Sequence, residues 1–352
     1  MKATRHAAPA AALRALLAEV VDYAGLFPPA SLDMHSAVAN YAAYRAGPQT
    51  WMLGRFVVPA TRLDELESAI AALTQPERDA WHGARLSVLL TGGFAAETAA
   101  IEAFDHRAPH GVRIDVAEGR TADPDTVLAM AASMPDDVTL YCELPHRDDP
   151  LPLLLAVQSA RARAKLRTGG VTPDAFPAPA EIVRFLRRCH ETGVTAKATA
   201  GLHHPLRAEY RLTYAPEAPR GVMYGYLNLF LCAAVIAAGG DDAVAEGVLL
   251  VGGDGVTGAA FKGTGILNGG EAGAFKIPVP LNGGVSVEFT GAEILIARGD
   301  AVLMTLDAVQ LARTRREALV AFGSCSFREP VDELTALGLP GATAHNGTDS
   351  DD

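Results

Sequence analysis

The feature that most constrains this chain is a repeated grammar: a short apolar β-rich run, a turn residue, then a stretch of helical periodicity. WMLGRFVVPA precedes RLDELESAIAAL, ARLSVLLTGG precedes AAETAAIEAFDHR, GVRIDVAEG precedes PDTVLAMAASM, and VTLYCELP precedes LPLLLAVQSARA. RAKLRTGG is followed by PAEIVRFLRRCHETG, in which Ile182, Val183, Leu186 and Cys189 make one apolar stripe, and TAKATAG is followed by an apolar helix near 221–238. A weaker first unit, VVDYAGLFPPA, leads into SLDMHSAVANYAAYRAG with Ser31 or Asp33 as the helix cap.

Strands that alternate with helices of about 10–15 residues specify βαβ units and a parallel sheet. Seven such units favour a closed barrel over an open sheet, and LVAFGSCSF at 319–327, preceded by TLDAVQLARTRREA, supplies the eighth strand. The expected fold is therefore an α/β (β/α)8 TIM barrel formed as one domain over 1–340. A Gly-rich insertion occupies 240–305 between the seventh helix and the last strand. Its segments VSVEF and EILIA alternate with period two around Thr-Gly, which predicts antiparallel β structure. The acidic tail 341–352 reads as disordered.

With 49% hydrophobic residues, 20% charged residues and a net charge of -11, the chain of 352 residues can bury a large core. No long basic run is present, which argues against non-specific nucleic-acid binding. Four scattered cysteines without CxxC pairing suggest neither a disulfide framework nor a zinc ribbon. AAPAAALRALLAEVVDYAG carries Arg14 and Glu19 inside an apolar stretch that alternates at helical spacing, and it suits an amphipathic helix better than a signal peptide. GVMYGYLNLFLCAAVIAAGG contains Asn228 and falls short of a membrane span, so no membrane partner is expected and the expected compartment is the cytoplasm. The same segment is apolar on all faces, the mark of a fully buried helix or a subunit contact, and a homo-oligomer is expected from it.

In a barrel of this type, chemistry belongs at the C-terminal ends of the strands. Lys165 and Arg167 share a face of the sixth strand, and Lys197 and Thr199 share a face of the seventh. Taken singly, each lysine reads as a solvated charge or an ion-pair partner. Two ammonium groups meeting in a partly desolvated barrel mouth would disfavour each other's charge and raise the neutral-amine fraction of at least one. A neutral lysine amine can attack a carbonyl and form a Schiff base, an electron sink for making or breaking a carbon–carbon bond. Asp115, in RIDVAE on the fourth strand, is the candidate proton relay.

Four short stretches carry a resemblance: Lys165-Leu166-Arg167-Thr168-Gly169, Lys197-Ala198-Thr199-Ala200-Gly201, Ile114-Asp115-Val116 and Gly323-Ser324-Cys325-Ser326. In order and in strand placement they resemble the class I, Schiff-base deoxyribose-phosphate aldolases. The resemblance implies Lys165 as nucleophile, Lys197 as tuning group and Asp115 in proton transfer. It also implies substrate contacts from Thr168, Gly169, Gly170, Gly201, Gly323, Ser324 and Ser326, and no cofactor. Arg167 stands where that family keeps a small hydroxyl residue, and Phe327 stands where it tends to keep glycine. Because guanidinium pairs with carboxylates in bidentate fashion, Arg167 points to a small anionic substrate, an oxo acid in place of a sugar phosphate.

GLHHP admits a different chemistry. His203 and His204 could bind substrate or transfer a proton, or collect a divalent metal with Glu118, Glu143 and His146 for a lyase or hydrolase. Adjacent histidines on an extended chain point to opposite sides, and no H-x-H or H-E-x-x-H spacing is present, so the leading reading contains no metal. The glycine runs VGGDGVTG and GTGILNGG lack a strand–loop–helix context and read as turns. A third reading is a barrel that binds a small anion without catalysis.

Overall fold

The computed structural model describes residues 11–107, 109–252, 275–277, 284–290 and 292–337. Helix α1 (Ala11–Leu17) leads into β1 (Val21–Tyr23), and α2 (Met34–Ala46) follows with Asp33 as its cap, the Asp33 carboxylate accepting the Ser36 amide at 2.8 Å. β2 (Leu53–Pro59) precedes α3 (Leu63–Ala71) and α4 (Gln75–Trp81), the latter a helix that periodicity missed because it is a short capping-box turn begun by Thr74 and Glu77. The alternation continues through β3 (Arg85–Leu89), α5 (Phe94–Arg107), β4 (Arg113–Arg120), α6 (Pro124–Ser133), β5 (Thr139–Leu144), α7 (Leu151–Ser159), β6 (Arg163–Arg167), α8 (Pro179–Thr192) and β7 (Ala196–Thr199).

After β7 the chain departs from the simple repeat. β8 (Ala208–Arg211) and β9 (Arg220–Met223) form an antiparallel hairpin, and only then does α9 (Tyr226–Ala237) begin. The start of the expected seventh helix is thus a strand. α10 (Asp242–Leu249) packs beside α9, and β10 (Phe275–Ile277), β11 (Val285–Phe289), β12 (Glu293–Arg298) and β13 (Ala301–Asp307) make an antiparallel sheet in that order. The period-two segments at 285–289 and 293–298 are its centre, as expected. The chain returns through α11 (Ala308–Glu317) to the last barrel strand, β14 (Leu319–Ser324), and α12 (Arg328–Ala336). VGGDGVTG beyond Gly252, GTGILNGG and the acidic tail lie outside the described residues.

Eight parallel strands close in the order β1-β14-β7-β6-β5-β4-β3-β2, with helices covering the outside, so the fold is a (β/α)8 barrel with an inserted antiparallel sheet. The predicted stripe of α8, Ile182, Val183, Leu186 and Cys189, is buried against the barrel, and Gly193 ends the helix in the left-handed region at φ 66°. All residues of α9 from Tyr226 to Ile236 are buried, because α8, α10 and α11 of the same chain cover the side that a barrel helix usually shows to solvent. Its all-round apolarity therefore has an explanation within one chain. All four cysteines are free and buried, and among the described residues no helix is long and apolar enough to cross a membrane.

One irregularity decides which side chains enter the barrel. Arg85 and Leu86 of β3 stand opposite Arg113 and Ile114 of β4, but Ser87 stands opposite Val116. Asp115 is the extra residue of a β-bulge, and past it the alternation of β4 changes phase. Residues 116, 118 and 120 now share the face that strict alternation from Asp115 would give to 117 and 119.

Candidate active site

Lys165 and Lys197 are in register on the neighbouring strands β6 and β7, so the two lysines run side by side rather than facing each other across the barrel mouth. What joins them is Glu118. Its Oε2 lies 2.7 Å from Lys165 Nζ and its Oε1 lies 2.5 Å from Lys197 Nζ. Ser87 Oγ donates to the same Oε1 at 2.5 Å. Lys197 is bonded further to Asp22 Oδ2 of β1 at 2.6 Å, and Lys165 to Glu143 Oε2 of β5 at 3.0 Å. The Tyr141 ring lies 5.5 Å from Lys197 Nζ. Five strands thus deliver two ammonium groups and three carboxylates to one buried cluster.

The electrostatics assign Lys197 and Glu118 their charges. Burial alone would push Lys197 down, but Asp22 and Glu118 outweigh it and hold its ammonium well above the ordinary lysine range. Burial alone would raise Glu118, and the Lys165 and Lys197 charges outweigh that and hold the carboxyl well below its usual range. Lys197 is therefore not the neutral member of the pair: its like-charged neighbour is screened by the carboxylate between them. It is a fixed cation and Glu118 a fixed anion.

Above this cluster opens a cavity of about 370 Å³, within the size range of small-molecule sites. Lys165, Lys197, Glu118 and Glu143 form its floor; Arg167, Gly170, Thr199, Gly201, His203, Gly323 and Cys325 stand around its wall, and Phe27, Pro28 and Pro29 close one side. Arg167 Nη1 is 3.9 Å from Glu143 Oε1 with its side chain 43% exposed, so the guanidinium keeps capacity for a ligand. Arg120 Nε approaches the same oxygen at 3.6 Å.

The loop after β7 is held in an unusual shape. Ala200 and Gly201 have φ of 63° and 74°, and the Thr168 hydroxyl donates to the Ala200 and Thr199 carbonyls at 2.7 and 3.2 Å. Gly201 packs its Cα against Gly169, where an added Cβ on either would lie 3.0 Å from the other backbone and under 3 Å from Phe176. Thr168 and Gly169 thus shape the wall without lining the cavity.

Other expected residues fall elsewhere. Asp115 is clamped by Arg55 through Nε and Nη2 at 2.6 and 2.7 Å near the N-terminal end of β4, with Arg85 at 3.9 Å, so Glu118 and not Asp115 is the β4 carboxylate at the lysines. The bulge at 115 is the cause. Ser324 is buried and accepts the Ser326 amide at 3.4 Å, while Ser326 Oγ accepts the Glu329 amide at 3.2 Å; both hydroxyls shape the turn into α12, and neither lines the cavity. The two histidines do not point to opposite sides as alternation predicts: residues 202–204 are not an extended strand, and both rings turn toward α12 and line one small cavity, their centroids 6.3 Å apart. His203 Nδ1 meets Glu329 Oε2 at 3.2 Å beside Cys325 Sγ at 3.9 Å, and His204 Nδ1 meets Glu333 Oε2 at 2.9 Å with its ring stacked on Tyr210. They pair with α12 instead of converging with Glu118 and Glu143, and among the described residues no group of three or more His, Cys, Asp or Glu side chains is placed to hold a metal ion.

Sequence reading missed Asp22, Ser87, Tyr141 and Glu329. Asp22 had a signal available, a carboxylate inside an otherwise apolar short strand. No protein-family model matches the chain, and no curated protein sequence matches it.

Proposed function

We propose that the protein is a Schiff-base-forming lyase of the aldolase type, acting on a small carbonyl compound that carries an anionic group. The observation that carries this reading is the placement of Lys165. Its side chain is the more exposed of the two lysines on the cavity floor, 7% against 2%, bonded to two carboxylates, beside an ammonium that stays charged and an acid that stays ionised.

In this reading Lys165 gives a proton to Glu143, whose second oxygen faces Arg120 and Arg167, and the free amine adds to the substrate carbonyl carbon. The resulting carbinolamine takes the proton back from Glu143 on its hydroxyl and loses water as its nitrogen lone pair forms the C=N bond. The iminium cation replaces the lysine charge beside Glu118, so the ionised carboxylate stabilises it in place. An iminium accepts the electron pair released when the adjacent carbon–carbon bond breaks, or, after loss of an α-proton, supplies the pair that forms such a bond. Arg167 at the wall holds the anionic group, and the guanidinium geometry favours a carboxylate, as in a 2-oxo acid.

A second reading rests on the same ion pairs: Lys165, held by two carboxylates, serves as a charge for a substrate anion and never bonds to it. Borohydride separates the two. Incubation with a panel of 2-oxo acids and aldehydes, followed by reduction, is expected to add the mass of one reduced substrate at Lys165. Turnover of a substrate that leaves no adduct, or turnover that survives Lys165→Ala, would assign the noncovalent role.

A further inference from the structure

A second, smaller chamber of about 220 Å³ adjoins the cavity, sharing Pro29, His203 and Leu212 with it. Its other walls come from the β8–β9 hairpin and α12, and they include Arg211, Thr213, Tyr214 and Glu329. We propose that the two chambers form one bipartite substrate site: the carbonyl donor is held at Lys165, an aldehyde with an anionic tail occupies the smaller chamber, and His203 at the junction transfers the proton of the bond-forming step. The proposal rests on the Schiff-base reading for its donor half and on separate residues for its acceptor half.

The geometry of His203 fits an acid. Its Nδ1 is taken by Glu329 at 3.2 Å, with Cys325 Sγ at 3.9 Å, and Tyr214 OH bonds both of those partners, to Glu329 Oε2 at 3.2 Å and near Cys325 Sγ at 3.6 Å. Among the described residues no protein group bonds Nε2, while the residue borders both chambers. Glu329 thus fixes the ring and leaves the other nitrogen toward the lumen, the arrangement by which a carboxylate orients a catalytic imidazole. Burial works against the imidazolium, yet Cys325 and Glu329 outweigh it and push His203 up to about 10, so the ring carries both protons at neutral pH. Arg211 is exposed and has no ion-pair partner among the described residues, which leaves a cation at the far end for a phosphate or carboxylate.

The step balances. The donor enamine carbon attacks the aldehyde carbon, the carbonyl π pair moves to oxygen, and that oxygen takes the proton from His203 Nε2. The iminium re-forms on Lys165 and is hydrolysed by water. The proton lost from the donor α-carbon compensates the one gained by the new hydroxyl, returning to His203 through solvent. In cleavage, neutral His203 takes the hydroxyl proton as the bond breaks.

The test uses pyruvate as donor, with glycolaldehyde phosphate and glycolaldehyde as acceptor probes. His203→Gln is expected to keep borohydride trapping of pyruvate and deuterium exchange into its methyl group, and to lose aldehyde addition by 100-fold or more. Arg211→Ala is expected to raise KM for the phosphate probe about tenfold and leave that for glycolaldehyde unchanged. Addition within threefold of wild type in His203→Gln overturns the proposal. Histidine nitrogen NMR keeps the chamber testable without Lys165 chemistry. Glycolaldehyde phosphate should shift the His203 Nε2 resonance in wild type and in Lys165→Ala alike, and less so in Arg211→Ala. If trapping fails while that shift occurs, the donor reading falls and the chamber stands; if the shift is absent, the chamber falls even where trapping succeeds.

Discussion

Lys165 and Lys197 bind opposite oxygens of one carboxylate, Glu118, at 2.7 and 2.5 Å, and neither lysine is held by that carboxylate alone. The arrangement divides labour between two side chains of the same type. Lys197, 2% exposed and bonded also to Asp22, is the more enclosed cation, whereas Lys165, 7% exposed, is in the proposed reading the one a substrate meets.

Lys197→Met should therefore be chiefly a folding defect. It leaves Asp22 and Glu118 as buried anions short of a partner, and breaking a buried pair in this way costs about 3–5 kcal/mol. Urea unfolding followed by circular dichroism measures it. A loss under 1 kcal/mol would mean that the cluster is wetter or looser than its burial implies.

Lys165→Met, by contrast, should abolish the borohydride adduct and catalysis even where the variant remains folded. The comparison to make is kcat and adduct mass at a temperature at which circular dichroism shows native structure. Arg167→Ala should retain kcat within a few-fold and raise KM for an anionic substrate roughly 10–100-fold, the value of a charge-assisted hydrogen bond.

Asp115→Asn separates the site described here from the aldolase pattern. The Arg55 clamp holds Asp115 away from the lysines, so trapping at Lys165 should be unchanged and only stability should fall, by about 1–2 kcal/mol for a partly exposed bidentate pair. Glu118→Gln should do the opposite and impair trapping directly.

Two titrations act on stability with opposite signs. Glu118 has a folded pKa below its unfolded one, so its contribution is complete above about 4.5 and shrinks as pH falls below that, where the unfolded chain takes up the proton first. His203 is raised from 6.5 to about 10, so its contribution is complete below 6.5 and is lost as pH rises through 10. Unfolding free energy measured from pH 3 to 11 should fall at both ends. His203→Gln should flatten the alkaline slope, and Glu118→Gln the acid one.

The barrel was legible because parallel strands buried on both faces and helices buried on one leave different periods in the sequence, and those periods repeat. That both lysines reach one site at the barrel mouth followed from the same regularity; that they stand side by side, and that His203 and His204 turn to the same helix, did not. What escaped was whatever departs from it. One extra residue at Asp115 exchanged Asp115 for Glu118, a change of phase that alternation cannot announce. The pairing of His203 with Glu329 joins segments more than a hundred residues apart, where a single sequence has no pattern to offer, and the local β8–β9 hairpin was hidden because its second strand runs straight into the apolar stretch of α9. The repulsion expected between two like charges left out the carboxylates that separate and accompany them: Asp22 sits in a strand read as apolar, and Glu118 was read as a metal ligand and not as a partner of the lysines.

The bond between Lys197 and Asp22 joins β7 to β1, and β14 lies between those two strands in the closed barrel. Held at 2.6 Å, the pair bridges the two strands that flank β14, so the joint where the chain's last strand enters is closed by side chains as well as by the backbone ladder. The carboxylate that fixes the Lys197 charge is thereby also a brace across the seam of the cylinder.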